Sequence, residues 1–133
     1  MTTAYEHSAG MKSTVFIHVN HKQWLGAVVG KYALEKYSNN NDKFDVQFIE
    51  VKDQTFMFER EGQLYKRAGD KRIWLNDDLQ SFTPLRFMPP QLMGYKGRAV
   101  VIDPDVFAVR DVWELLNRDI QGNAIMCRAK SCR

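Results

Sequence analysis

The feature that most constrains this chain lies near its start. "TVFIHV", Thr14–Val19, is β-branched and aromatic and reads as a strand. In "KQWLGAVVGKYALEKY", Lys22–Tyr37, residues Leu25, Val28, Val29, Tyr32, Ala33 and Tyr37 recur at three- and four-residue spacing, which is an amphipathic helix. "SNNND", Ser38–Asp42, ends it as a loop. "FDVQFIEV", Phe44–Val51, then alternates apolar and polar residues as a second strand. Strand, helix, strand with a helix of this length is a βαβ unit, and it predicts parallel pairing. The implied fold class is α/β with a mostly parallel sheet.

The rest of the chain adds elements to that start. "GQLYKRAGDKRIWL" predicts a small hairpin around Gly69-Asp70. In "DLQSFTPLRFMPPQLMG", Asp78–Gly94, Ser81 or Thr83 would cap a helix with Pro84 in its first turn. Pro89 and Pro90 must break or kink that helix, and Gly94 suits the end of a second short turn. A buried central strand is expected at Arg98–Ile102, with a short extended piece at Val106–Val109. "RDVWELLNRD" reads as a helix with Asp111 near its start and Val112, Leu115 and Leu116 inward. A last strand is expected at Ala124–Cys127.

With 133 residues the chain can build one domain with its own core. Residues 1–13 read as a loose leader, in which Met11 is an alternative start, and 14–133 as a single α/β domain. A net charge of +3 is too small to argue for nucleic acid. The densest basic stretch, Lys66, Arg67, Lys71 and Arg72, is interrupted by Asp70 and reads as a solvated hairpin face. Cys127 and Cys132 lack further partners at zinc-ligand spacing, and a reduced, cytoplasmic protein is the simplest expectation. The first residues, "MTTAYEHSAGMKST", hold no apolar core of the kind a signal peptide needs. The apolar runs fall far short of the ~20 residues that span a bilayer, so no transmembrane segment is expected.

One stretch carries chemistry. In "GRAVVIDPDVFAVRDVWELL", four apolar residues are followed by Asp103 and Asp105 with Pro104 between them. Ligands bind at the carboxyl ends of strands in open α/β sheets. Two carboxylates leaving a strand together can hold one hard cation, Mg²⁺ or Mn²⁺, and such a cation would neutralise a diphosphate leaving group. Asp-Pro-Asp is also ordinary turn chemistry, with Asp105 free to cap the next element. Both readings stand on spacing alone.

"FTPLRFMPPQLMGYKGRAVVIDPDVFAVRDVWELLNRDIQGNAIMCR" resembles the central block of family 8 glycosyltransferases, the group of glycogenin, galactinol synthase and bacterial lipopolysaccharide sugar transferases. The family pattern is an arginine in an apolar helix, a "LP.L" step, a strand ending in Asp-x-Asp, then "D-(L/V)-x-x-L" and a Gly-Lys-Ala strand. Here these stand as Arg86, "MPPQLM", "VVIDPDV", "RDVWEL" and "GNAIM". The resemblance implies a Rossmann-like GT-A fold and a retaining transfer of sugar from a nucleotide sugar, usually a UDP-sugar, to a hydroxyl acceptor. It implies Mn²⁺ (or Mg²⁺) on Asp103 and Asp105, with Asp103 also reaching the ribose. It makes Arg86 a diphosphate or sugar contact, where the residues alone would allow a surface arginine covering apolar neighbours. His18, Asn20 and Trp24, in "HVNHKQWLG", become candidates for the nucleoside; a satisfied strand histidine and a core tryptophan are the competing readings.

The resemblance is loose outside Phe82–Arg128, and the acceptor half of the family has no counterpart here. A C-terminally truncated GT-A domain is therefore expected, weak or inactive on its own. Two other functions compete with the enzyme. One is a binding module that holds a nucleotide sugar without turnover. The other is a structural remnant whose open edge pairs with a second copy, a homo-oligomer.

Overall fold

The computed structural model describes residues 12–127 and 129. Among the described residues, nine regular elements succeed one another: β1 (Ser13–Val19), α1 (Trp24–Lys36), β2 (Phe44–Glu50), α2 (Thr55–Arg60), β3 (Leu64–Arg67), β4 (Asp70–Ile73), α3 (Pro89–Leu92), β5 (Ala99–Ile102) and α4 (Trp113–Leu116). Short 3₁₀ turns at His21–Gln23, Val51–Asp53 and Thr83–Phe87 link them. The expected leader lies outside the described residues except at its end, where Ser13 already belongs to β1.

The main sheet has the order β2-β1-β5 and is parallel throughout. β1 is its middle strand, with Ser13 opposite Phe44 and Val19 opposite Glu50 on one side, and Thr14 opposite Ala99 and Ile17 opposite Ile102 on the other. The fold is thus mixed α/β with the parallel pairing that the βαβ pattern demands. β5 flanks β1 instead of holding the centre expected for it. A short apolar run has the same composition at an edge as in the middle, so it could not place the strand.

Alternation along β1 divides the interior into two cores. Val15, Ile17 and Val19 pack with Ala27, Leu34, Phe44 and Leu116 on the face covered by α1. Phe16 packs with Ile49, Val51, Met57, Phe82, Leu85 and Met93 on the opposite face. β1 has no solvated face, and that explains why its run is apolar at nearly every position.

Helix α1 forms where its periodicity predicts, but it turns a different side inward. It buries Ala27, Gly30, Ala33 and Leu34. Leu25 is 76% exposed and Tyr32 61%. The chain leaving β5 crosses this helix at backbone distance, and only small residues allow that. A Cβ on Gly26 would lie 2.5 Å from the Pro104 carbonyl oxygen, and one on Gly30 would lie 3.4 Å from that of Val106. The helix carries two stripes, one bulky and one small, and close backbone approach selects the small one.

The β3–β4 hairpin turns through Ala68 and Gly69, both at positive φ, the arrangement of a tight two-residue turn. Pro84 lies in the first turn of the 3₁₀ segment, and Pro89 opens α3, so the prolines start turns as well as end them. Gly94 follows α3 at φ 60°. The C-terminal part is less regular than its pattern suggests. α4 is a single turn with Leu116 buried and Leu115 exposed, and neither 106–109 nor 124–127 forms a strand. Asp111 bonds to Ser38, to Asn40 and to the Trp113 N–H, and this fixes the start of α4 against the α1–β2 loop. Among the described residues, no helix is long and apolar enough to cross a membrane.

Candidate functional site

The chain leaves β1 toward β2 and later returns on the other side of β1 as β5. The carboxyl ends of β1 and β5 therefore form a topological switch point, the place where open α/β sheets bind ligands. β1 delivers His18 and Asn20 there, and β5 delivers Asp103 and Asp105. A turn closed by the Val106 N–H on the Asp103 carbonyl at 3.2 Å carries the two aspartates. Buried Pro104 seats this turn against Gly26 of α1. The turn reading of Asp-Pro-Asp is thus realised, and the same turn brings both carboxylates to one cavity.

Asp103, Asp105 and Arg86 line one cavity of about 720 Å³. Arg86 comes from the 3₁₀ turn Thr83–Phe87, where its Nε–H donates to the Thr83 carbonyl at 3.2 Å. Asp105 is exposed, whereas Asp103 is half-buried. The cavity's other wall is the β3–β4 hairpin, which contributes Tyr65, Lys66, Arg67 and Arg72. Sequence reasoning assigned those cations to solvent. Their density was visible in the chain, but only the tertiary placement of the hairpin brings them to the aspartates.

His18 does not line this cavity. Its ring is 1% exposed and lies edge-on to Phe82 at 4.8 Å between centroids. Nδ1 is 3.2 Å from the Phe82 carbonyl oxygen, and Nε2 is 2.5 Å from Asp103 Oδ1. This corrects its expected role as a ligand contact: it is a satisfied strand histidine that acts on the site through Asp103.

Asn20 is corrected in the same way. Its Nδ2 donates to the carbonyls of Asp78 and Leu79 and to Ser81 Oγ, at 3.0, 3.1 and 2.9 Å. Its Oδ1 accepts from the Gln23 N–H and so caps the turn before α1. The side chain joins the end of β1 to the segment 78–81, and its bonding capacity is largely spent doing so.

Trp24 lies in a different place from the aspartates. It packs on Phe48 with ring centroids 4.7 Å apart, and it lines a second, mainly apolar cavity of about 450 Å³ with Phe58, Val51 and Lys52. Two strips of chain separate the cavities. Gln23, Asp78 and Leu79 face the larger one, while Asn20, His21, Asn76 and Asp77 face the smaller. Asp77 ties the strips together through His21 and Lys22, each at 3.0 Å. The hydrogen bonds from Lys22 and then His21 hold the Asp77 carboxyl below the usual aspartate range.

A divalent cation suits this donor set only in part. Among the described residues, no three His, Cys, Asp or Glu side chains converge into a preformed metal cluster. Asp103 already shares one oxygen with His18, and Asp105 adds a second carboxylate. Hard oxygen donors of this number fit Mg²⁺ or Mn²⁺ held jointly with a ligand's phosphates. They do not fit a structural zinc. No protein-family model matches the chain, and comparison with curated proteins and with solved structures finds no match either.

Proposed function

We propose that the chain binds a nucleotide-diphosphate sugar, a UDP-sugar by its family resemblance, and transfers the sugar to a hydroxyl acceptor as a GT-A-type glycosyltransferase. One observation carries the reading. Asp103 and Asp105, carried by one turn, share a single cavity at the strand ends with Arg86 from a separate segment of the chain. Asp103 and Asp105 would hold Mn²⁺ or Mg²⁺, which supplies charge neutralisation at the diphosphate when bound.

The chain's own residues then divide the work. The Arg86 guanidinium donates parallel hydrogen bonds to phosphate oxygens. His18 fixes the orientation of Asp103 from the buried side. Trp24, which lines the separate smaller cavity, takes no part in this site, and Asn20 holds the segment 78–81 that borders the diphosphate cavity. Positioning of donor against acceptor, and exclusion of water from the activated sugar, are what a transferase must add.

The test is calorimetry with UDP in Mn²⁺. Asp103→Asn with Asp105→Asn should abolish metal-dependent binding while the far-ultraviolet circular dichroism stays that of the parent. Undiminished UDP binding by the double variant places the site elsewhere. Release of UDP from a UDP-sugar, with and without acceptors, separates the transferase from a module that only binds.

A further inference from the structure

The β3–β4 hairpin carries Lys66, Arg67, Lys71 and Arg72 within seven residues of chain. Pairing sets Lys66 directly opposite Lys71, and like charges directly opposite each other weaken a strand pair. A two-stranded sheet of four-residue strands has little stability to spare. The hairpin is nevertheless held in place at three points. Arg67 Nη2 donates to Gln80 Oε1 at 2.6 Å, which joins it to the segment leading to Phe82. Tyr65 meets Trp74 edge-on at 5.3 Å. Trp74 Nε1 donates to Asn76, whose amide donates to the Met57 carbonyl.

Lys66, Arg67 and Arg72 line the same cavity as Arg86. Among the described residues, none of these four cations lies within ion-pair distance of a carboxylate. Arg67 and Arg86 have only neutral hydrogen-bond partners, Gln80 and the Thr83 carbonyl. Four cations without an ion-pair partner face a cavity that Asp78, Asp103 and Asp105 also line, so cations exceed carboxylates there by one, and guanidinium suits phosphate oxygens in particular.

We propose that the β3–β4 hairpin is the phosphate-binding wall of this cavity, with Lys66, Arg67 and Arg72 holding a diphosphate together with Arg86. The inference deepens the function proposed above and rests on it for the identity of the complete ligand. It assigns the diphosphate to protein cations in addition to any bound metal. The cavity then binds diphosphate when divalent cations are removed.

The experiment is calorimetric titration of the full chain with inorganic pyrophosphate in EDTA. The parent should bind. Lys66→Ala with Arg72→Ala should weaken binding about tenfold or more, the scale of losing charge-assisted hydrogen bonds. Lys71→Ala removes one positive charge from the same hairpin at a position outside the cavity lining, and it should change affinity less than about twofold, well short of the loss from either Lys66→Ala or Arg72→Ala alone. All three side chains are exposed, and Lys66→Gln with Arg72→Gln, which keeps long polar side chains, should reproduce the loss. No binding by the parent in EDTA, or an equal loss in Lys71→Ala, overturns the proposal. A parallel titration with UDP keeps the two readings apart. UDP that binds no better than pyrophosphate in Mn²⁺ removes the nucleotide reading, while the pyrophosphate series still decides the hairpin.

Discussion

His18 Nε2 lies 2.5 Å from Asp103 Oδ1, while the other nitrogen of the same ring lies 3.2 Å from the Phe82 carbonyl oxygen. A carbonyl and an ionised carboxylate are both acceptors, and a neutral imidazole has one N–H to give. The imidazole is therefore held between two acceptor oxygens, one on each side of the ring. This joins the buried middle of β1 to the aspartate at the end of β5. His18→Ala should cost about 1–3 kcal/mol, the scale of leaving a buried acceptor unpaired. It should also weaken metal-dependent UDP binding, because Asp103 loses its anchor. Urea denaturation and UDP calorimetry on one sample measure both. A variant as stable as the parent would mean that the contact contributes nothing to folding.

The approach of α1 to Pro104 gives a second expectation. A Cβ at position 26 would meet the Pro104 carbonyl oxygen at 2.5 Å, and backbone on a packed turn has little room to move. Gly26→Ala should destabilise the chain by about 1–3 kcal/mol through overpacking. It should also shift Asp103 and Asp105, so ligand affinity falls with stability. Leu25→Gln, one residue away and 76% exposed, should stay within about 0.5 kcal/mol of the parent. Denaturant midpoints of the two variants decide which stripe of the helix is structural. The reverse order would restore the bulky stripe as the buried one.

This helix shows where the sequence was informative and where it was not. Local periodicity identified β1, α1 and β2 almost to the residue, because hydrogen-bonded elements impose their own repeat. It could not tell which of two stripes meets the core, because that depends on a turn about 80 residues later in the chain. The aspartate pair was legible from its place after an apolar strand. The placement of β5 beside β1, and of the hairpin cations beside Asp103, was not. Lys66 and Arg72 look like any solvated pair until the fold brings the hairpin to the cavity. His18 and Asn20 read as candidate nucleoside contacts, but their partners, Phe82 and Ser81, lie more than 60 residues away. Burial and bonding, which decide between a ligand contact and a structural one, are properties of those distant partners.

Asp111 predicts an acid-sensitive contribution. Burial pushes its carboxyl up, but hydrogen bonds from Ser38 Oγ, the Trp113 N–H, the Asn40 amide and the Asn39 N–H outweigh it. The net shift is downward from 3.8. A carboxyl with a folded value below its unfolded one stabilises the fold fully above the unfolded value. That contribution is lost as pH falls through the folded value. The parent should therefore lose stability below about pH 4 more steeply than Asp111→Asn. At neutral pH Asp111→Ala should cost about 1–3 kcal/mol, since the start of α4 and the 38–40 loop lose a shared acceptor. Thermal melts from about pH 2.5 to 7 supply both comparisons. Parallel curves for parent and Asp111→Asn would show that the carboxylate contributes no pH dependence.

Arg86 offers the test of how the cavity recognises a diphosphate. Its Nε–H is committed to the Thr83 carbonyl, and that bond fixes the plane of the guanidinium while leaving both Nη groups for a ligand. A planar fork anchored at one nitrogen can meet two phosphate oxygens at once, which a lysine cannot do. Arg86→Ala should weaken UDP binding by about 1.5–3 kcal/mol, the scale of a charge-assisted contact. Arg86→Lys keeps the charge but loses both the fork and the Nε anchor. It should recover less than half of that loss if the contact is bidentate, and nearly all of it if a point charge is enough. The comparison is made at low and at moderate salt, because screening weakens a point charge in open solvent more than a pair of directed hydrogen bonds. A lysine variant equal to the parent at both salts would reduce Arg86 to a source of positive potential. An alanine variant equal to the parent would remove it from the site, leaving the hairpin cations and the aspartates to hold the ligand.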